Sequence, residues 1–209
     1  MNQLPVDRDL LAGSALSVAP VLLNATVVSE LDGQLVRARI TEVEAYEGAH
    51  DPASHAFRGR TKRNSVMFGE AGHLYCYFVY GMHWCANVVC GPPDIAAAVL
   101  LRAAEIVVGE PDGQRQGITA TSPAKLASGP ARLARCLGLN GSHTGLDLLD
   151  PASPVRLERL APASDYRSGP RVGITVGTEH PWRFWLPDDP TVSAFRPGGR
   201  KRARQTGQT

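Results

Sequence analysis

Between Thr41 and Asn64 the chain reads TEVEAYEGAHDPASHAFRGRTKRN. Glu42 and Glu44 stand two residues apart, Tyr46 follows at the same spacing, and His50, Asp51 and His55 come next. Arg58, Arg60, Lys62 and Arg63 then fall within six residues, with no acid among them. One carboxylate can act as a general base on water if burial or a neighbouring charge tunes it. The same pair can also be two solvated strand glutamates. The basic run reads either as a loop that grips phosphates or as one that is simply solvated. His50, Asp51 and His55 match no common zinc spacing, and the cysteines lie twenty or more residues away. No metal is expected there.

A second constellation is HLYCYFVYGMHW, His73 to Trp84. Tyr75 and Tyr77 share one strand face, and Tyr80 falls where the strand reverses beside Gly81 and Met82. Such rings can stack on a base, wedge into a duplex, or fill a core with their polar tips outward. Other chemistry is poorly supplied. There is no GxSxG, Walker loop or dinucleotide fingerprint. Only three lysines occur, Lys62, Lys125 and Lys201. Lys62 and Lys201 sit in polar, basic surroundings, which weighs against Schiff-base chemistry, since that needs a desolvated amine.

These residues need elements to hold them. Residues 7–24 predict one or two short helices, interrupted near Pro20. ATVVSELDGQLVRARITEVEAYE predicts two strands around the turn Asp32-Gly33. Strict alternation puts Val36, Ala38, Ile40, Glu42, Glu44 and Tyr46 on one face, so the glutamates extend a face that starts apolar. A loop follows over 47–66. HLYCYFVY, HWCANVVC and IAAAVLLRAAEIV read as three further strands. Short connections make the sheet largely antiparallel. SPAKLASGPARLARCLGLN reads as helix, with Pro130 near the start of its main segment. RVGITVG and PWRFWLP read as closing strands, after a long Pro- and Ser-rich connection over 143–168.

The chain has 209 residues, is 43% hydrophobic and 20% charged. That fits one domain over 1–194 with a real core. No apolar run spans a membrane. Four cysteines without a CxxC pair suit reduced thiols and a cytoplasmic setting. The net charge of +2 conceals an asymmetry. Residues 195–209 carry five basic residues and no acid, leaving 17 basic against 20 acidic in the body. The tail is expected to be disordered. A net-acidic body makes local patches, not bulk charge, the carriers of any nucleic-acid affinity.

The motifs E-x-E-A-Y, a histidine nine residues beyond that tyrosine, R-N-x-x-M-F, L-Y-x-Y-x-x-Y-G-M and L-L-R-A occur here in order. Together they resemble the mammalian-type alkyladenine (3-methyladenine, 3-methylpurine) DNA glycosylases, over roughly residues 14–190. The resemblance implies an α+β single domain on a curved, largely antiparallel sheet with peripheral helices and a protruding β-hairpin. It implies a monofunctional enzyme that flips alkylated purines from double-stranded DNA and hydrolyses the N-glycosidic bond. It implies no cofactor, and no membrane or protein partner; a monomer is the plain expectation. In a bacterium the cytoplasmic enzyme would sit with the nucleoid. By the same resemblance Glu44 matches the general base and Arg102 an arginine beside it. Tyr46, His55 and Tyr77 match the walls of the base pocket, and Asn87 its floor. Tyr80 matches the residue that fills the vacated stack, flanked by Met82 and His83 at the DNA. Arg58, Arg60, Lys62 and Arg63 are assigned to the backbone. His83 and Trp84 depart from the aromatics found there in vertebrate members.

Two other readings use the same residues. A non-catalytic binder of damaged or bent DNA keeps Tyr80 and the basic loop but idles Glu44. A small-molecule hydrolase uses Glu42 and Glu44 as paired carboxylates, about 7 Å apart by strand geometry.

Overall fold

The apolar alternation on either side of Asp32-Gly33 folds as the expected hairpin. β1 spans Thr26–Leu31 and β2 spans Gln34–Tyr46, paired antiparallel. Asp32 (φ 53°) and Gly33 (φ 74°) both adopt the left-handed conformation, whose twist suits a two-residue hairpin loop. The structure is a computed structural model that describes residues 6–109, 122–158 and 163–199.

The thirteen-residue β2 organises the remainder. One edge pairs with β5 (Ala97–Val108). The other pairs first with β1 and then, at Glu42 to Glu44, with the short β8 (Arg183–Trp185). Beyond β5 lie β4 (His83–Cys90) and β3 (Leu74–Val79), and beyond β1 lies β6 (Val155–Glu158). β7 (Arg167–Gly169) joins through β8. These pairings are all antiparallel, and the sheet curls into a half-barrel, so the chain is an α+β single domain with few helices.

One face of the sheet carries the main core, built from strand residues such as Val36, Ile40, Val43, Val88 and Val99. Against it pack α1 (Arg8–Leu11), α2 (Ala15–Leu22) and α3 (Pro130–Cys136) through Leu11, Val18, Leu22, Leu133 and Cys136. A smaller cluster of Ala56, Met67, Tyr75, Val89, Ala96 and Ala98 lies apart from it.

Three expectations are corrected. The break in the N-terminal helical region falls before Ser14, whose side chain accepts the Ser17 N–H as an N-cap; Pro20 is accommodated inside α2. The connection over 143–168 contains β6 and the start of β7. The segment RVGITVG forms no strand, and the strand that pairs with β8 is Arg167–Gly169 just before it. Gly173 N–H donates to the Arg196 carbonyl at 3.0 Å. Residues 200–209, which hold four of the five tail cations, lie outside the described residues, as does the expectation of disorder placed on them.

Candidate active site

Alternation fails at one level of the two central strands, and the site forms there. Up to Ile40 the core-facing residues of β2 are Val36, Ala38 and Ile40; beyond it they are Val43 and Ala45. The β2–β5 register shifts between Ile40 and Glu42, and again between Glu42 and Val43. β5 switches at the same level, from Ala97, Val99 and Leu101 to Ala104. Irregularities of this kind re-aim side chains. Glu42, Glu44 and Tyr46 thus leave the face of Ile40 instead of extending it, which corrects the strict alternation. Glu42 and Glu44 lie where β2 is paired on both edges, with β5 and with β8, and Tyr46 is the last residue of the strand.

Both glutamates are fully buried, with different company. Glu42 is saturated: Arg102 Nε donates to Oε1 at 2.8 Å, Arg183 Nε to Oε1 at 2.7 Å, and Ser193 N–H to Oε2 at 2.7 Å. Glu44 Oε2 accepts the Tyr46 hydroxyl at 2.9 Å, and Oε1 accepts the Val172 N–H at 2.6 Å. Arg102 Nη1 stands 3.2 Å from Glu44 Oε1. Burial raises the Glu44 pKa, against the opposing pull of Arg102, the Val172 N–H and Tyr46. Burial, then the nearby Glu44 charge, push the Tyr46 phenol well above its ordinary range, so it stays a donor.

Glu44 opens into a cavity of about 280 Å³, at the small end of ligand pockets. Tyr46, His55, Tyr77, Asn87 and Arg102 all line it. The His55 ring meets Tyr77 edge-on at 4.5 Å, and its Nδ1 lies 3.1 Å from the Tyr75 hydroxyl. His55 is exposed at the cavity mouth, yet partial desolvation of its ring, then Arg63, lower its pKa. Asn87 is oriented by its Nδ2 donating to the Tyr75 carbonyl at 3.0 Å. Pocket residues not anticipated include Met67, Cys85 and Leu100.

Tyr80 occupies the turn between β3 and β4, at the edge of the cavity. It is 80% exposed and has φ 54°, followed by Gly81 at φ 69°. An aromatic side chain in this left-handed region is uncommon and strained. Met82 and His83 beside it are exposed as well.

The basic run divides by geometry. Arg58 and Lys62 are exposed. Arg60 lies over the Phe68 ring at 5.2 Å and 3.6 Å from Asp94. Arg63 donates to the Phe78 carbonyl at 3.1 Å and stands 6.0 Å from the Tyr77 ring. His50, Asp51 and His55 do not converge. Asp51 is buried in a two-point ion pair with Arg171, including Arg171 Nη2 to Oδ1 at 2.8 Å. Among the described residues no three His, Cys, Asp or Glu side chains are grouped to hold a metal ion. Neither Arg171 nor Val172 was singled out from sequence. The signal was a lone arginine opening an otherwise apolar stretch.

One buried carboxylate with a cationic neighbour lines an aromatic pocket in a curled antiparallel sheet, an arrangement of the class that suits hydrolysis beside a bound flat ring. The chain belongs to the Methylpurine-DNA glycosylase (MPG) family, whose model matches residues 9–190. It is therefore a DNA glycosylase of DNA repair. It is 45% identical to a Streptomyces avermitilis protein over 97% of both chains. It is 48% identical to a Mycobacterium tuberculosis protein over 95% of this chain and 98% of that one, and 50% identical to a Nocardia farcinica protein over 84% of each. All three carry a provisional designation as 3-methyladenine DNA glycosylases. These relatives are bacterial, so the match supports the family and not a mammalian type. Among the described residues no helix is long and apolar enough to cross a membrane.

Proposed function

We propose that this protein flips alkylated purines, 3-methyladenine and 7-methylguanine foremost, out of duplex DNA and hydrolyses the N-glycosidic bond, leaving an abasic site. The observation that carries the reading is Glu44, buried in the pocket wall and aligned by Arg102, Tyr46 and the Val172 N–H. The glycosidic bond is inaccessible inside a duplex, so the nucleotide must leave the stack, at a cost of a few kcal/mol that is least for a damaged base. In the pocket Glu44 takes a proton from water as the oxygen bonds to C1′ and the base departs with the glycosidic electrons. The same negative charge stabilises the cationic sugar as it develops.

An N-alkylated purine is a cation before it leaves, so it departs without an acid. Its charge also favours stacking on Tyr46 and Tyr77, by about 0.5–2 kcal/mol per contact. Neutral lesions such as hypoxanthine or etheno-adenine need a proton donor. The pocket holds a histidine biased towards neutrality and phenols of raised pKa, so these lesions are expected to be slower substrates. Among the described residues no lysine lines the cavity; Lys125 donates to the Pro190 carbonyl at 2.9 Å. That supports a monofunctional hydrolase without strand cleavage. Tyr80 fills the gap in the stack, while Arg58, Arg60, Lys62 and Arg63 approach the backbone. The protein acts as a monomer on DNA in the cytoplasm, and its four free, buried cysteines are compatible with a reducing setting.

The test is incubation of methylated duplex DNA with the protein, followed by free-base analysis and a separate alkali step. The expected result is released methylpurine, with strand breaks only after alkali. Tight lesion binding with no released base would instead support the non-catalytic binder.

A further inference from the structure

Arg171 is among the largest fully buried side chains of the described residues. Its guanidinium lies between two rings, 4.6 Å from the Tyr46 centroid and 4.9 Å from that of Trp182. Trp182 in turn stacks on His180 at 4.2 Å and 9°. Arg171 Nη1 also donates to the Ala45 carbonyl at 3.0 Å, beside Tyr46 on β2. Its Nε has no acceptor, an uncommon condition for a buried polar atom. The space is closed by Gly177, at φ 61°, where a Cβ would fall 3.2 Å from Arg171 Nη2.

We propose that Arg171 is a positioning residue of the glycosylase site, clamping three of its parts into one register. Its ion pair with Asp51 fixes the loop that delivers His55. Its stacking backs the ring of Tyr46. Its backbone delivers the next residue, Val172, whose N–H is bonded to Glu44. A planar, two-pronged cation is required for this; a lysine keeps the charge but neither the paired contact with Asp51 nor the flat stack. Asp51 also neutralises the clamp, so no unbalanced cation lies behind a wall that receives a cationic base.

The inference rests on Glu44 acting as the base, and it has a consequence in pH. The groups facing Glu44 are Glu42 and Tyr46 from β2, Arg102 from β5, and Tyr77 and Cys85 from β3 and β4, with the Val172 N–H from the clamped segment. If the clamp slackens, Glu44 loses the Val172 bond that favours its ionised form.

The experiment is single-turnover release of 7-methylguanine from methylated duplex by the full-length Arg171→Lys variant across pH. The expected result is a plateau rate lower by about 10- to 100-fold, the scale of a small misplacement of reacting groups. The acid limb should also move to higher pH, with affinity for a duplex carrying an abasic-site analogue unchanged. A variant with a lower melting temperature but the wild-type acid limb would show that Arg171 is only structural, and would overturn the proposal. Should Arg171→Lys fail to fold, Trp182→Leu, which keeps the ion pair, takes the same measurement. There too a displaced limb is expected and an unmoved one overturns. If the wild-type limb survives in Glu44→Gln, the reading of Glu44 itself falls, and this inference with it.

Discussion

Glu42 holds Arg102 from behind, Oε1 to Nε at 2.8 Å, and this turns the free end of the guanidinium towards Glu44, 3.2 Å from Nη1. Two carboxylates of one strand therefore have different tasks. Glu42 is consumed in fixing a cation, and Glu44 is the one presented to the cavity.

Glu44→Gln should abolish base release while keeping lesion binding, with a rate loss of about 10²–10⁴-fold from the missing general base. Glu42→Gln should act mainly on stability. It leaves Arg102 and Arg183 facing a neutral amide in a buried setting, which costs about 3–5 kcal/mol. Chemical denaturation and single-turnover excision on both variants separate the two. Equal rate losses without unfolding would point to a catalytic carboxylate pair.

The raised Glu44 pKa sets two pH trends. The acid limb of single-turnover excision should lie above the ordinary carboxylate range, because the base must be ionised. In stability, the fold binds the Glu44 proton more tightly than the unfolded chain does. The resulting stabilisation is fully present below the unfolded pKa and is lost as pH rises through the folded pKa. The melting temperature of Glu44→Gln relative to wild type should therefore climb across that window. A pH-independent difference would show that Glu44 carries no such strain.

Tyr80→Ala should weaken capture of the extruded nucleotide without unfolding the protein, since the ring is 80% exposed. Aromatic–base stacking is worth about 1–3 kcal/mol, so the flipping equilibrium should shift back by about one or two factors of ten. Tyr80→Asn sharpens the test. Asparagine tolerates the left-handed backbone of this turn, so melting temperature should hold or rise while flipping falls. Fluorescence of 2-aminopurine beside the lesion reads the flipping. A melting temperature that drops as for a core aromatic would make the ring structural.

Within the basic loop, Arg58→Ala and Lys62→Ala should weaken damaged and undamaged duplex alike, each lowering the salt dependence of binding by about one phosphate contact. Arg63→Ala should in addition reduce lesion selectivity, because Arg63 braces the Phe78 carbonyl and approaches the Tyr77 ring. Binding isotherms at several salt concentrations distinguish these cases. Identical behaviour of all three variants would mean that Arg63 plays no part in the pocket wall.

The sequence by itself determined the β1–β2 hairpin, the strands through His73–Val108, and the closeness of Glu44 to Tyr46 and of Tyr77 to Tyr80. Period-two patterning, turn residues and short spacing are local, so they are legible without partners. Tertiary structure alone decided which way the glutamates point. The switch at Thr41 and Arg102 is a mismatch between two strands, and neither strand records it alone. Tertiary structure also decided the fate of RVGITVG. Its apolar alternation suggests a strand, but Arg171 is drawn into an ion pair with Asp51 across 120 residues of sequence. Val172 is held to Glu44 across 128. A buried charge must take its partner wherever the fold supplies one, and no local pattern announces a partner so distant.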